Sequence, residues 1–206
     1  MASPIRSDRT GPTRLPAPRR RQQLLDVATN VFAVRGFHGT SMDDVAEAAG
    51  VTKPVLYQHF SSKRELYREL LDQVGSQLVE AVTKAVWAAT GPRAQVQAGF
   101  GAYFRFVARH ANAFRLLFGS GARRDEEFAD AVRRVEDTMA DAIAPLIEAD
   151  VDADHRQLLG YGIVGLAEVT SRHWVATGEP TLRAADRLGR RISELAWAGL
   201  RGIHRD

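Results

Sequence analysis

Hydrophobic positions in this 206-residue chain recur at intervals of three and four, the period of amphipathic helices, and no stretch shows the alternation of a strand. The pattern is densest over residues 40–63, TSMDDVAEAAGVTKPVLYQHFSSK. Met42, Val45, Ala46 and Ala49 form one stripe, opened by Ser41 and Asp44 in capping-box spacing. Gly50 follows directly, where a chain leaving a helix often turns left-handed. Thr52 is placed to cap a second short helix, and Pro54 lies in its first turn, where a missing N–H is tolerated. On that helix Leu56 points inward with Val51 and Phe60, whereas Lys53, Pro54, Tyr57 and Gln58 point outward. Ser62 and Glu65 repeat the box at the start of a third helix. Helix starts this close together around one turn glycine make a helix-turn-helix pattern.

Downstream the spacing predicts helices over 62–89, 93–110, 112–119, 123–149, 155–177 and 181–202, punctuated by Thr90-Gly91-Pro92, Gly119-Ser120-Gly121 and Gly178-Glu179-Pro180. Pro145 is expected to kink or shorten the fourth of these near its end. Gly160, Gly162 and Gly165 each cost an isolated helix about 1 kcal/mol and so suggest close helix approach, with helix breaking as the alternative. The fold class is all-α, about nine helices in total. We expect a basic, disordered arm over 1–18, a DNA-binding unit over 19–72, and a helical effector-binding and dimerisation unit over 73–206.

Charge sharpens this picture. The net charge of +3 is concentrated at the start: residues 1–21 carry six Arg and one Asp, residues 22–64 balance four cations against four anions, and the remainder is slightly acidic. The arm suits phosphate or minor-groove contacts, or serves only as a solubilising tail. The helix-turn-helix has no bulk charge, so DNA binding there depends on a few placed groups. Cations are almost all Arg; the three Lys are Lys53, Lys63 and Lys84, two of them inside the reading segment. Lys suits a compact point charge at a phosphate or a guanine edge.

Residues 19–72 resemble the DNA-binding domain of TetR-family transcriptional regulators. The matching strings are LLDVATNVFAVRGF, TSMDDVAEAAGV and KPVLYQHFSSKRELY. The resemblance implies roles position by position. Lys53 and Pro54, with Val55, fall where base edges and thymine methyls are touched. Tyr57, His59 and Lys63 fall at phosphate-contacting positions, Ser41 presents a helix N-terminus, Thr52 caps the helix that carries Lys53, and Gln58 lies at a variable position. The resemblance also implies a homodimer on a palindromic double-stranded operator, most simply a repressor released by a small-molecule effector. A ligand-dependent activator is the alternative within the same plan, and an effector-independent nucleoid-associated binder is the alternative outside it.

The effector is expected to be apolar or amphipathic, in a pocket among residues 80–175 with Trp87, Phe100, Phe104, Arg105, His110, Phe114, Phe118 and Trp174 as candidates. No Gly-rich phosphate loop, G-x-S-x-G elbow or H-E-x-x-H helix occurs, so an enzyme is not expected and no cofactor or metal is invoked. With no cysteine, no apolar run long enough to span a bilayer and no signal-peptide core near the start, the expected location is the cytoplasm, away from membranes.

Overall fold

The computed structural model describes residues 17–119, 122 and 125–203; most of the expected basic arm lies outside them. Among the described residues there are nine α-helices: α1 Ala17–Arg35, α2 Met42–Ala48, α3 Lys53–His59, α4 Lys63–Trp87, α5 Pro92–Arg109, α6 Ala111–Phe118, α7 Glu126–Ile143, α8 Ala153–Thr177 and α9 Leu182–Arg201.

Local chemistry explains most boundaries. Ser41 and Asp44 form a full capping box, with Asp44 N–H donating to Ser41 Oγ at 3.1 Å and Ser41 N–H donating to the Asp44 carboxylate at 2.8 Å. Gly50 sits at φ +64°, where a side chain would be strained, and turns the chain from α2 into α3. Two caps differ from expectation. Thr52 is the N-cap residue of α3, but its hydroxyl makes no cap hydrogen bond. At α4, Ser62 Oγ accepts from Glu65 N–H at 3.1 Å, but the Glu65 carboxylate reaches back one residue further, to the N–H and hydroxyl of Ser61. The expected helix over 123–149 is shorter than its spacing suggested. It stops at Ile143 and tightens into a 3-10 turn, Ala144–Leu146, because Pro145 has no N–H to continue the ladder.

α1, α2 and α3 enclose a small core of Leu24, Ala28, Phe32, Val45, Leu56 and Phe60 against the first half of α4. An aromatic cluster then binds this unit to α7. Tyr67 lies 5.0 Å from Phe32, 5.1 Å from Phe37 and 4.7 Å from Phe128, ring centre to ring centre, and burial pushes its phenol up to about 12. Cross-links flank the cluster, with Arg64 on Asp125 at 2.7 Å and Arg134 on Asp72 at 2.9 Å. The division expected after residue 72 falls inside α4, which runs on without a break and buries Leu70, Leu71 and Val74 in succession.

The larger unit packs α5 broadly on α9 and on α4, with α7 between α4 and α8. Gly75 lets α4 and α7 touch, since a Cβ there would run into Val135 Cγ2. Of the three glycines singled out on α8, Gly160 makes a close approach, its absent Cβ lying 3.0 Å from the Ala140 carbonyl oxygen. Gly162 and Gly165 have nothing among the described residues within 4 Å of that position.

Candidate DNA-reading surface and ligand cavity

The reading surface is built by burying one side of two seven-residue helices. Met42, Val45 and Ala46 on α2, and Leu56 on α3 with Phe60 after it, are at most 6% exposed. That fixes the opposite faces outward. Thr52, Lys53, Pro54, Tyr57 and Gln58 are exposed, as expected, while Val55, His59 and Lys63 are half-buried. The outward residues lie together on a helix narrow enough for a major groove about 12 Å wide.

Several polar groups assigned to DNA are already engaged within the protein. The Ser41 amide and hydroxyl both contact the Asp44 carboxylate. Lys63 Nζ donates to the carbonyl oxygens of Phe37 and Thr40 at 2.8 and 2.7 Å and lies 4.4 Å from the Phe37 ring centre. Its first role is thus to fasten the turn between α1 and α2. Lys53 Nζ donates to Asp43 Oδ2 at 2.7 Å. That bond and its Coulomb attraction raise the Lys53 pKa above the ordinary value. Hydrogen bonds from Ser41, then the Arg35 guanidinium, hold Asp44 below the usual carboxylate range. The surface therefore presents Thr52, Tyr57 and Gln58 as uncharged hydrogen-bonding groups around one guarded cation.

A separate cavity of about 170 Å³ lies in the larger unit. Val82 and Val86 of α4, Phe100 and Tyr103 of α5, Met139 and Ile143 of α7, Val164 and Ala167 of α8, and Trp197 and Leu200 of α9 line it. The charged residues on its lining are Glu148 and Arg201, both exposed, and Gln95 adds an amide. One wall is the chain after the 3-10 turn, held where Arg156 donates to the carbonyls of Ile147, Ala149 and Val151 at 3.1–3.2 Å.

Of the eight residues expected to line an effector pocket, Phe100 does. The others are placed elsewhere, for identifiable reasons. Phe104, Phe114 and Phe118 are at most 2% exposed and fill the core, and Trp174 leans on Phe104 at 6.1 Å. Arg105 is at the surface, paired with Asp186 at 2.6 Å. Trp87 is 69% exposed at the end of α4 and borders a small recess that shares Val82, Val86, Met139 and Ile143 with the cavity. His110 faces a polar cleft with Asn30, Gln73, Gln77, Arg109 and Asn112; burial and the Arg109 charge lower its pKa. Sequence reasoning missed the aliphatic wall residues. Met139 and Ile143 recur at helical spacing along α7, but nothing local to them shows that they border empty space.

A short outward-facing helix seated on a second helix, carried by a larger helical unit with its own apolar cavity, defines a helix-turn-helix DNA-binding regulator. Residues 24–70 match the family model for bacterial regulatory proteins of the tetR family, and residues 92–199 match that for the tetracyclin repressor-like C-terminal domain. The chain is 35% identical over 199 residues to the transcriptional activator FasR of Mycolicibacterium smegmatis, covering 96% of this chain and 90% of the relative. A TetR-like transcriptional regulator from Rhodococcus sp. RHA1 superposes with a TM-score of 0.74 at 33% identity, covering 92% of this chain and all (100%) of that one. FadR from Bacillus subtilis, solved in complex with stearoyl-CoA, shares the fold at TM-score 0.72 and 18% identity, over 89% and 99% of the two chains. The chain belongs to the TetR family of DNA-binding transcriptional regulators. Among its described residues no helix is long and apolar enough to cross a membrane.

Proposed function

We propose that this regulator binds a two-fold operator as a homodimer in the cytoplasm, and that a small molecule with a hydrocarbon portion sets its affinity for DNA. The observation that carries the ligand reading is the apolar cavity, whose wall includes Val82 and Val86 of α4, the helix that also closes the DNA-reading core. A dry apolar cavity of about 150 Å³ takes up benzene, so a volume of about 170 Å³ accepts a short hydrocarbon segment. Gln95, Glu148 and Arg201 leave room for a polar head at its edge. The same fold holds stearoyl-CoA in FadR, which makes long-chain acyl thioesters the first compounds to test.

Dimerisation is supported by an exposed apolar stripe. Leu158, Tyr161 and Val169 on α8 and Leu195 on α9 are 40–68% exposed. Gly162 and Gly165 lie along the same α8 stripe, where a Cβ would meet nothing within 4 Å among the described residues. Two such faces packed together bury the stripe and set paired α3 helices against successive major grooves. Lys53 and Pro54, with Val55, are assigned to base edges; Thr52, Tyr57, Gln58 and His59 are assigned to the flanking backbone and bases.

Repression relieved by ligand is the simplest regulatory reading. The full-length likeness to the activator FasR favours the second, ligand-dependent activation. The deciding experiment is fluorescence anisotropy of a labelled duplex, selected by the protein from a randomised pool, titrated with stearoyl-CoA and shorter acyl thioesters. Chain-length-dependent change in DNA affinity, lost when Ala167→Phe fills the cavity, supports the proposal. If acyl compounds leave the affinity untouched, the ligand assignment fails.

A further inference from the structure

Asp43 takes no part in the α2 capping box. Its neighbour Asp44 closes the α2 capping box and pairs with Arg35. Asp43, on the first turn of α2, reaches across to the first residue of α3 and pairs with Lys53 at 2.7 Å, both side chains about half or more exposed at 65% and 49%. A carboxylate thus stands beside the cation assigned to read bases, on a surface meant to approach a polyanion. Two acidic residues in the first turn of α2 also oppose the seating of a phosphate at that helix end, where a bare N-terminus attracts one.

We propose that Asp43 is a specificity-determining residue, admitting a neutral base edge to Lys53 while turning phosphates away. An ammonium carries three protons and no acceptor. With one proton on Asp43, the other two remain for guanine O6 and N7, which are uncharged and meet no opposing field. A phosphate approaching the same ammonium comes within a few ångströms of the Asp43 carboxylate, whose like charge offsets much of the attraction to Lys53. The pair therefore lowers the phosphate-driven, sequence-independent part of binding more than the part that reads sequence. This fits the balanced charge of residues 22–64, where discrimination has to come from placement. The inference rests on the proposed base-reading role of Lys53.

The test uses the full chain and two duplexes of equal length, one selected by the wild-type protein from a randomised pool and one unrelated in sequence. Freeing Lys53 from an exposed ion pair is expected to tighten binding of Asp43→Asn to the unrelated duplex about three- to fivefold per recognition helix. The dependence of log K on log salt for that duplex should steepen by about one per helix. Affinity for the selected duplex should gain less, so the ratio between the two falls. Asp43→Glu, which keeps the charge, should restore weak binding to the unrelated duplex, and in a Lys53→Met background Asp43→Asn should lose most of its effect. An unchanged salt slope and unrelated-duplex affinity in Asp43→Asn would overturn the proposal, as would an equal gain on both duplexes. Equal losses on both duplexes for Lys53→Met alone would instead remove the base-reading role itself, and the proposal with it.

Discussion

Lys63→Met separates two roles that the sequence alone merges. The substitution keeps the apolar stem and deletes the ammonium that bonds the carbonyls of Phe37 and Thr40 and rests on the Phe37 ring. Each charge-assisted hydrogen bond in a half-buried setting contributes about 1.5 kcal/mol, and the cation–π contact adds about 0.5 kcal/mol. Releasing the lysine side chain returns about 1.5 kcal/mol of rotamer entropy. The net loss is about 2 kcal/mol, a factor of about 30 in the opening equilibrium of the turn between α1 and α2. Native-state hydrogen exchange reads this directly at the Gly36 amide, which donates to the Phe32 carbonyl at 2.8 Å. We expect its exchange to accelerate about thirtyfold, with weaker binding to every duplex because the turn that seats α2 loosens. If exchange at Gly36 is unchanged while all DNA binding falls, Lys63 is a phosphate contact and not a fastening, and the reasoning is refuted.

Gly75→Ala forces a methyl group against Val135 and should cost about 1–3 kcal/mol in urea denaturation, with most of it recovered in Val135→Ala; equal costs in both backgrounds would exclude the clash. Leu195→Glu or Val169→Glu should convert the protein to monomers by light scattering at micromolar concentration and abolish operator binding; intact dimers would place the interface elsewhere. Asp44 and Glu65 are held below their ordinary values of 3.8 and 4.5 by hydrogen bonds from Ser41 and Ser61. A depressed carboxylate contributes stability that is complete above its unfolded value and disappears as pH falls through the folded one. The urea midpoint should therefore drop as pH falls below about 5, and that drop should shrink in Asp44→Asn and Glu65→Gln; an unaltered acid profile would remove both caps from the account.

Local signals carried the reading surface. Ser41, Asp44 and Gly50 specify two helix ends within ten residues, and the inward stripe from Val45 to Phe60 fixes by elimination which side chains face out. What Lys53 and Lys63 do with their charges was not legible, because Asp43 and the Phe37 carbonyl meet them through the packing of α2, the α1–α2 turn and α4. The cavity was less legible still. Aromatic residues were the natural candidates for a ligand pocket, yet Phe104, Phe114 and Phe118 have the bulk to fill the core and do so. The space opens instead beside smaller residues, among them Val82, Val86 and Ala167, where several helices fail to meet. That void is a property of crossing geometry, and no single helix encodes it.

α4 extends for 25 residues, about 37 Å, and the two family models stop short of its second half, one ending at 70 and the next beginning at 92. Its Leu66, Tyr67, Leu70 and Leu71 complete the DNA-reading core, while Val82 and Val86 line the cavity. Neither unit keeps its core if this helix melts, so thermal unfolding should be one cooperative transition. A ligand present at a hundred times its dissociation constant then adds about 2.7 kcal/mol of stability by mass action alone. That protection reaches α1, α2 and α3 as well, although none of them touches the cavity. Occupancy thus registers in the lifetime of the folded reading head even where the helices keep their positions.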